Sequence, residues 1–341
     1  MKLITLLFII CVSTVAMAQF GTEREAARYR VVDFPRYYVE QSQRTYCVDV
    51  KMSKKVGSYV DADELIDRLA FSGWTKTDAE HANMRMAIEF GDFIYEATEI
   101  LDQSTEEKTK DGGVKRKPLF IGTIKYTFPI KISMIASEGK YSSQINDGLA
   151  VFKCEKNFET RKAASEYMRE NKDVFVEKII VGDADIAIRA ANSGATRSFG
   201  FGSTTEKVEY YYLDSKKGKY FEQQKEDADA IEVMAKGSNA NEPINPEGIA
   251  AVIDHFIGII NELDNNDKKQ KKARNKLMIS VAELNLMRDD LEACASWAQR
   301  IVDEYKDNDG KDILDKVNKV REMFEKHHVT SRHFSPVAPE L

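Results

Sequence analysis

The strongest chemical signal in the chain is an acidic loop at residues 304–312, whose sequence is EYKDNDGKD. A helix–loop–helix calcium site has glycine at its sixth position and oxygen ligands at positions one, three, five and twelve. With Gly310 at the sixth position, two aspartates meet positions three and five, but Tyr305 and Lys316 occupy positions one and twelve. We therefore predict a turn instead of a calcium site. In that turn Gly310 adopts the left-handed conformation of a helix exit, and Asp312 begins the next helix.

Histidine changes charge near neutral pH and binds transition metals, so each histidine is a candidate site residue. The five histidines of the chain are His81, His255, His327, His328 and His333. His255 lies in a strongly apolar helical stretch, and we predict that it packs there instead of acting as a catalytic base. The last three could bind a transition metal weakly, but prolines follow at 336 and 339. We predict an unstructured tail and no metal site there.

The other signatures of catalysis are weak or missing from the sequence. It contains neither G-x-S-x-G nor H-E-x-x-H, the patterns of a serine hydrolase and a zinc protease. Asp183 and Asp185, like Asp227 and Asp229, are two residues apart, so on a helix they point to different sides. We predict that these acids are solvated surface. The G-F-G at 200–202 lacks the third glycine of a phosphate-binding loop, and we predict no catalytic, cofactor-binding or metal-binding residues.

A basic run extends from Lys268 to Lys276, with the sequence KKQKKARNK. It lies at the predicted start of a helix, where the helix dipole disfavours cations. The run could therefore serve an acidic partner or anionic lipid head groups. The other interpretation is a solvated helix face.

Residues 1–18 have the pattern of a secretory signal peptide, with one basic residue, an apolar run from Leu3 to Val15, and Ala-Met-Ala at 16–18. The apolar run is shorter than the roughly 20 residues of a spanning helix, which argues against the alternative of an uncleaved anchor. Cys11 follows large apolar residues and does not resemble a lipoprotein acylation site. We predict an exported protein, periplasmic or extracellular, that is not a lipoprotein.

Composition restricts the classes of partner. The formal net charge is −6, which makes nucleic-acid binding a poor hypothesis, and any membrane contact is predicted to be peripheral at most. Three cysteines follow the predicted leader: Cys47, Cys154 and Cys294. In an oxidising compartment Cys47 and Cys154 could form a disulfide. The alternative is three small buried side chains with free thiols.

The section from Thr45 to Cys154 is dominated by alternation of apolar and polar residues. Every second residue is apolar from Ile124 to Met134, which predicts one long, half-buried strand. Pro129 falls inside it and cannot donate to a ladder, so an edge strand or a bulge is predicted there. The turn signal at 137–140 predicts a hairpin whose second strand lies in 141–154. With earlier strands near 46–52 and 84–95 and a helix near 61–71, this order predicts an α+β fold with a largely antiparallel sheet.

After Cys154 the period becomes helical. Helices are predicted over 157–170 and from 173 towards 191, followed by a flexible linker at 192–205, a short strand at 208–212 and a helix over 219–235. Asn245 and Pro246 then form a helix start. Four C-terminal helices are predicted, with apolar faces at 249–263, at 277–288, at 291–305 and at 313–324. Short turns join them into two antiparallel helical hairpins.

The segment from Asn275 to Tyr305, with the sequence NKLMISVAELNLMRDDLEACASWAQRIVDEY, resembles one unit of the tetratricopeptide repeat. Ala282 and Cys294 match its small residues where the paired helices touch. Asn285 stands where an aromatic residue is usual, and no second copy occurs at a fixed spacing. The resemblance implies a helical stack whose concave face binds protein segments.

These patterns predict a leader (1–18), an α+β domain (19–155), a mixed helical and linker region (156–240), a helical-hairpin domain (241–328) and a disordered tail (329–341). The predicted function is an exported, periplasmic scaffold of the cell envelope that is not an enzyme and binds protein partners through its C-terminal helices. The alternatives are a hydrolase of envelope polymers, with its site in the N-terminal half, and a structural subunit of a surface assembly. The sequence does not define an oligomeric state.

Overall fold

The computed structural model describes residues 20–108, 110–216 and 218–339. The predicted leader lies outside these residues. The described chain has the predicted α+β fold, with largely antiparallel sheets in its N-terminal part and helices in its C-terminal part. The strands are β1 (Thr22–Asp33), β2 (Thr45–Lys51), β3 (Thr75–Lys76), β4 (Met84–Phe90), β5 (Ile94–Asp102), β6 (Thr105–Lys108), β7 (Val114–Lys117), β8 (Phe120–Thr127), β9 (Ile130–Ala136), β10 (Gly139–Ile145), β11 (Ala150–Phe158) and β12 (Gly202–Leu213).

The helices follow the chain in two groups, with the boundary between them at β12. They are α1 (Ala62–Asp67), α2 (Arg161–Glu170), α3 (Lys172–Ser198), α4 (Phe221–Lys236), α5 (Pro246–Glu262), α6 (Lys268–Met287), α7 (Leu291–Tyr305) and α8 (Asn308–His327). Within the described ranges, no helix combines the length and the apolar character needed to cross a membrane.

The chain divides into two compact units. Unit 1 contains the described residues up to Phe34 and residues 202–336, and unit 2 contains residues 35–201 with 337–339. This division differs from the consecutive domains expected from the sequence. The physical reason is strand pairing, because β1 forms its ladder with β12, which follows the residues of unit 2 in the sequence.

Unit 2 has one apolar core beneath two sheets. The larger sheet has the order β10-β9-β4-β2-β3 and the smaller one β11-β8-β5, while β6 and β7 form a separate hairpin. The predicted single strand over 124–134 is wrong in one respect. It is interrupted at Pro129, and its two halves, β8 and β9, belong to different sheets. The alternation survives the break, since the apolar residues from Ile124 to Met134 all lie in the core.

The corner at Pro129 is a close contact between two chain segments. The Gly91 N–H donates to the Pro129 carbonyl over 2.8 Å, and a Cβ on Gly91 would lie 2.8 Å from the proline ring. The predicted hairpin is confirmed, because β10 pairs with β9 and β11 pairs with β8. Strands that change sheets at a bend are a usual way to form such a corner.

The predicted linker at 192–205 is wrong. The long helix α3 continues through Ser198, and β12 begins at Gly202. Small side chains let this part of α3 approach the sheet closely. A Cβ on Gly194 would lie 2.5 Å from the Tyr141 ring, so the Gly/Ser-rich composition here serves packing instead of flexibility.

Cys47, Cys154 and Cys294 are the cysteines that the structure describes, and all three have free thiols. Cys47 is half-buried on β2, Cys154 is buried on β11, and Cys294 is buried on α7. Burial raises the pKa of the Cys294 thiol to about 12. A thiol in such surroundings is protonated and packs as a small apolar group.

Unit 1 is built on the two-stranded ribbon of β1 and β12, which pair antiparallel from Thr22 with Leu213 to Asp33 with Gly202. Alternate side chains of the ribbon, such as Tyr29 and Tyr210, join the helical core. The four predicted C-terminal helices are confirmed as α5 to α8. Among them, α6 is buried on nearly all sides over its C-terminal half, as expected for a helix that is apolar all round.

The prediction of a disordered tail is wrong for residues 329–336, which are folded. Residues 329–336 belong to unit 1, and Arg332 and His333 are buried. The Arg332 carbonyl accepts a hydrogen bond from Val32 on β1 at 2.8 Å. Two prolines exclude regular helix in this tail, but its side chains find partners on the ribbon and on the α6–α7 turn.

Candidate functional site

Two adjoining cavities lie along the β1–β12 ribbon, between it and helices α6 and α8. Their volumes are about 220 Å³ and 320 Å³, and they share Glu283 of α6 and Lys316 of α8. We refer to the pair as the charged groove. The first cavity is lined by Arg24, Glu209, Tyr211, Ile279, Glu283, Asp309, Asp312, Ile313 and Lys316. The second is lined by Tyr29, Glu206, Lys207, Glu283, Leu286, Lys316, Lys319, Val320 and Arg332.

The ribbon is fixed at the groove by hydrogen bonds to its outer strand edge. The Ser280 hydroxyl of α6 accepts from the Tyr211 N–H at 2.6 Å and donates to the Tyr211 carbonyl at 2.9 Å. Lys276 lies over the Tyr211 ring, 4.8 Å from its centroid. The backbone groups of Tyr211 are therefore satisfied within the chain, and a ligand at this point meets side chains instead of an open strand edge.

The middle of the groove is an ion pair with one buried member. The Lys316 Nζ lies 2.6 Å from Glu283 Oε1, and the Glu283 side chain is only 7% exposed. Burial raises the pKa of the Glu283 carboxyl, and the Lys316 ammonium opposes this shift. An acid held in this way favours an additional cation or hydrogen-bond donor nearby.

The first cavity is rich in acids. Glu209 accepts from Lys207 and Arg24, and these two hydrogen bonds lower the pKa of its carboxyl to about 2. Asp309 pairs with Lys276 at 2.8 Å. Asp312 is exposed and forms no ion pair with any residue that the structure describes. This end of the groove therefore offers one carboxylate without a partner.

The second cavity is rich in cations. Arg332 is already neutralised by Asp289 and Glu206, and Lys207 is engaged with Glu209. Lys319 is exposed and has no ion-pair partner within 20–108, 110–216 and 218–339. The two ends of the groove therefore differ in the sign of their uncommitted charge.

The acidic loop at 304–312 is a turn, as predicted, but its details differ. Lys306, with φ 55°, provides the left-handed residue, and Asp307 caps α8 by accepting from the Asp309 N–H. Gly310 is a buried residue inside α8 and has no left-handed backbone. The Asp307 carboxylate also accepts from Asn275 at 2.6 Å, and Asp309 pairs with Lys276, so protein donors occupy both aspartates of the calcium register.

The C-terminal histidines do not converge. The His327 ring packs against Phe34, with 4.9 Å between centroids, and His328 ends α8 in a left-handed conformation. His333 is buried with its Nε2 3.1 Å from the Met287 carbonyl, and burial lowers the pKa of its imidazole. Within the described part of the chain, no group of three or more His, Cys, Asp or Glu could hold a metal ion.

His255 lies on the surface side of α5 beside a buried acid. Its Nδ1 is 2.9 Å from Asp227 Oδ1, and the His255 side chain is 46% exposed while that of Asp227 is 4% exposed. The predicted solvation of Asp227 is therefore wrong, and His255 is less buried than predicted. No local pattern indicates this pair, because the two residues are on different helices.

The other predicted pair of surface acids, Asp183 and Asp185, also has one buried member. Asp183 on α3 is buried and accepts from Tyr126 at 3.0 Å and from Asn146 at 2.7 Å. Burial raises the pKa of the Asp183 carboxyl, and the two hydrogen bonds oppose this shift. Asp185 points to a different side, as predicted, and pairs with Arg68.

The basic run from Lys268 to Lys276 is partly used inside unit 1. Arg274 bonds Glu304 and Tyr305, and Lys276 pairs with Asp309. Lys268 and Lys272 remain exposed on the first turns of α6. The run thus divides into a structural part and a solvated part.

Unit 2 also contains a cavity, of about 450 Å³, along β2 and β4. Its charged lining residues are Asp49, Lys76, Asp78 and Arg85. The acid of unit 2 with a burial-shifted pKa, Asp183, is not among its lining residues. In the charged groove, by contrast, the buried acid lies at the centre of the cavity pair.

The sequence patterns do not identify the residues of the charged groove as a group. One signal was present, since Glu283 interrupts the apolar run from Ile279 to Met287. A lone acid at a position that a helix buries requires a partner. That partner, Lys316, is 33 residues away on another helix, which no local period reveals.

Replacing Glu283 by glutamine should remove a pH-dependent cost of folding. Because the folded pKa of Glu283 is raised above 4.5, the folded state retains its proton at pH values where the unfolded chain has lost it. The wild-type chain therefore loses stability as pH rises from about 4.5 through the folded pKa. We expect the free energy of unfolding of Glu283→Gln, relative to wild type, to increase over that interval in urea titrations and then to level off.

Glu292→Gln is the matched control, because its side chain is 87% exposed beside Arg321. Its difference from wild type should change little over the same pH range. A Glu283→Gln difference that decreases with rising pH would contradict a burial-raised pKa.

No protein-family model and no curated protein matches the chain. Among solved structures, the crystal structure of a minor lipoprotein from Acinetobacter baumannii matches 44% of this chain and 92% of its own length. The two sequences are 6% identical over this match, and the TM-score is 0.22. A likeness at this level carries no argument about fold or activity. The candidate site is therefore defined by the geometry of this chain alone.

Proposed function

We propose that the protein is an exported binding protein of the cell envelope that holds a partner polypeptide in the charged groove. The pattern of a signal peptide at residues 1–18 supports export, to the periplasm or the cell surface. The observation that carries the binding role is the charged groove itself. Its two cavities share the Glu283–Lys316 pair and together extend along the ribbon.

The groove has the properties of a recognition surface. Ion pairs and hydrogen bonds hold most of its other charged groups in place around Asp312 and Lys319, so those groups need little ordering when a partner binds. Charges that are held in fixed positions contribute more to the specificity and orientation of binding than to its affinity. The resemblance of Asn275–Tyr305 to a tetratricopeptide unit favours the same role, since that family binds protein segments.

The binding unit is larger than the C-terminal helices predicted from sequence. The groove takes Arg24 and Tyr29 from β1 and Glu209 from β12, and ribbon side chains belong to the same apolar core as the helices. A fragment of helices α5 to α8 lacks this ribbon. Experiments on binding therefore need the full chain.

Site-specific photo-crosslinking in the native cells tests the proposal. A photoreactive phenylalanine analogue placed at Asp312 or Lys319 of the full chain should give a discrete adduct with one partner protein, which mass spectrometry identifies. The purified partner should then bind the wild-type chain in calorimetry. The variant Asp312→Lys should bind it about tenfold or more weakly, because one charge-assisted contact is worth roughly 1.5–3 kcal/mol.

Lys225 provides the control position. It is exposed on α4 and lines neither cavity, so the analogue at this position should give no adduct. Equal adducts at all three positions, or none at 312 and 319, would refute the proposed role of the groove.

A further inference from the structure

The two uncommitted charges of the groove lie on one face of one helix. Asp312 lines the acidic first cavity and Lys319 lines the basic second cavity. They are seven residues apart on α8, which is about two helical turns, so they project in nearly the same direction. Their backbone separation along the axis is about 10 Å at 1.5 Å per residue.

The ribbon gives an independent measure of the same distance. On β12, Tyr211 lines the first cavity and Lys207 lines the second. Tyr211 and Lys207 are four residues apart in the sequence, which corresponds to roughly 13 Å at about 3.3 Å per strand residue. The two walls of the groove therefore agree on a length of about three to four residues of extended chain.

The hydrogen bonds at the edge of β12 restrict how a bound segment can contact the ribbon. Because Ser280 already satisfies the N–H and carbonyl of Tyr211, a bound segment is not added there as a further strand. Its side chains must supply the recognition. The uncommitted groups at the two ends, a carboxylate and an ammonium, call for a cation at one end and an anion at the other.

We infer that the charged groove selects an extended polypeptide segment carrying one basic and one acidic side chain about three to four residues apart. The basic side chain lies at Asp312, and the acidic one lies at Lys319. The Glu283–Lys316 pair, which lines both cavities, lies between the two positions. This inference rests on the proposed binding function and specifies the chemistry of the partner.

Selection from a phage-displayed library of random twelve-residue peptides on the immobilised full chain tests the inference. With wild type, peptides that carry Lys or Arg about three to four residues from Asp or Glu should be enriched about tenfold over the unselected library. Asp312→Lys makes both ends basic and should select two acidic residues at that spacing. Lys319→Glu makes both ends acidic and should select two basic residues at that spacing.

The control pair is Lys311→Glu and Asp315→Lys, which changes charges of the same kind on the same helix. Both residues are exposed and line neither cavity, so both variants should select the wild-type pattern. Enrichment of peptides without a charge pattern would overturn the inference and leave groove binding intact. Failure of wild type to enrich any peptide would count against the proposed function as well.

Discussion

Replacing Arg332 by alanine should lower the free energy of unfolding by about 3–5 kcal/mol, the cost of breaking a buried ion pair by removing one partner. The Arg332 and Asp289 side chains are 2% and 3% exposed, with Nε and Oδ1 2.6 Å apart. Asp289 also accepts the backbone N–H of Arg332 at 2.6 Å. Without the guanidinium, a buried carboxylate loses its counter-charge. Chemical unfolding followed by circular dichroism measures the loss.

The exposed ion pair of Arg321 with Glu292 provides the control for this prediction. Its side chains are 37% and 87% exposed, so Arg321→Ala should change stability by less than about 1 kcal/mol. A loss below about 1 kcal/mol for Arg332→Ala would show that the tail does not fasten unit 1.

A double-mutant cycle separates the ion pair from simple loss of packing. Asp289 has φ 64°, and asparagine tolerates that conformation, so Asp289→Asn is the suitable partner substitution. Combined with Arg332→Met it leaves no buried charge without its counterpart. The double variant should therefore lose less stability than the sum of the two single variants. Equal values would mean that the two side chains act independently.

The importance of Arg332 could not be deduced from its own sequence neighbourhood. The tail has two prolines and no apolar period, so local patterns predict disorder. Its partners are Asp289, 43 residues earlier, and Glu206, 126 residues earlier. Contacts between residues so distant in sequence have no periodic signal, and a single sequence does not reveal them.

The same reason explains which elements were predicted and which were missed. The C-terminal helices follow from local rules: Asn245 caps α5 through the Gly248 N–H, and Asp290 caps α7 through the Ala293 N–H. The strand β1 was not predicted at all. It depends on a partner nearly two hundred residues later in the chain, and this pairing also decides the boundaries of the two units.

The candidate site, too, was only partly predictable from local sequence. A buried acid within an apolar helix is visible in the sequence as Glu283, but its pairing with Lys316 requires the packing of α6 against α8. The two-residue spacing of the helical acids led to a prediction of solvated surface, but the fold buries Asp183 and Asp227 beside hydrogen-bond donors. Local sequence thus identifies helix starts and faces, while the chemistry of the groove arises from tertiary contacts.

Replacing Gly310 by alanine should destabilise the protein by about 1–3 kcal/mol, the usual cost of adding a methyl group to a full interior. A Cβ at this position would lie 2.8 Å from the Ala298 carbonyl oxygen and 3.1 Å from the Ile301 Cβ. The first contact is backbone of α7, which cannot rotate away. Urea unfolding of the full chain measures the change.

Gly258 is the matched control, because it also lies inside a helix of unit 1. It is exposed, and a Cβ there would meet nothing within 4 Å. Gly258→Ala should therefore stabilise the protein by up to about 1 kcal/mol, since alanine is the better helix former. The two substitutions are chemically identical and should have opposite signs.

A further substitution distinguishes close helix contact from the left-handed turn that the sequence suggested for Gly310. Asparagine tolerates a left-handed backbone but is larger than alanine, so close contact predicts that Gly310→Asn is at least as harmful as Gly310→Ala. At Lys306, where φ is 55°, glycine should instead be neutral or stabilising. If Gly310→Asn were tolerated while Lys306→Gly destabilised, the contact of α8 with α7 at Gly310 would be wrong. The orientation of Asp312 and Lys319 depends on that contact, because it fixes the first turn of the helix that carries both groove charges.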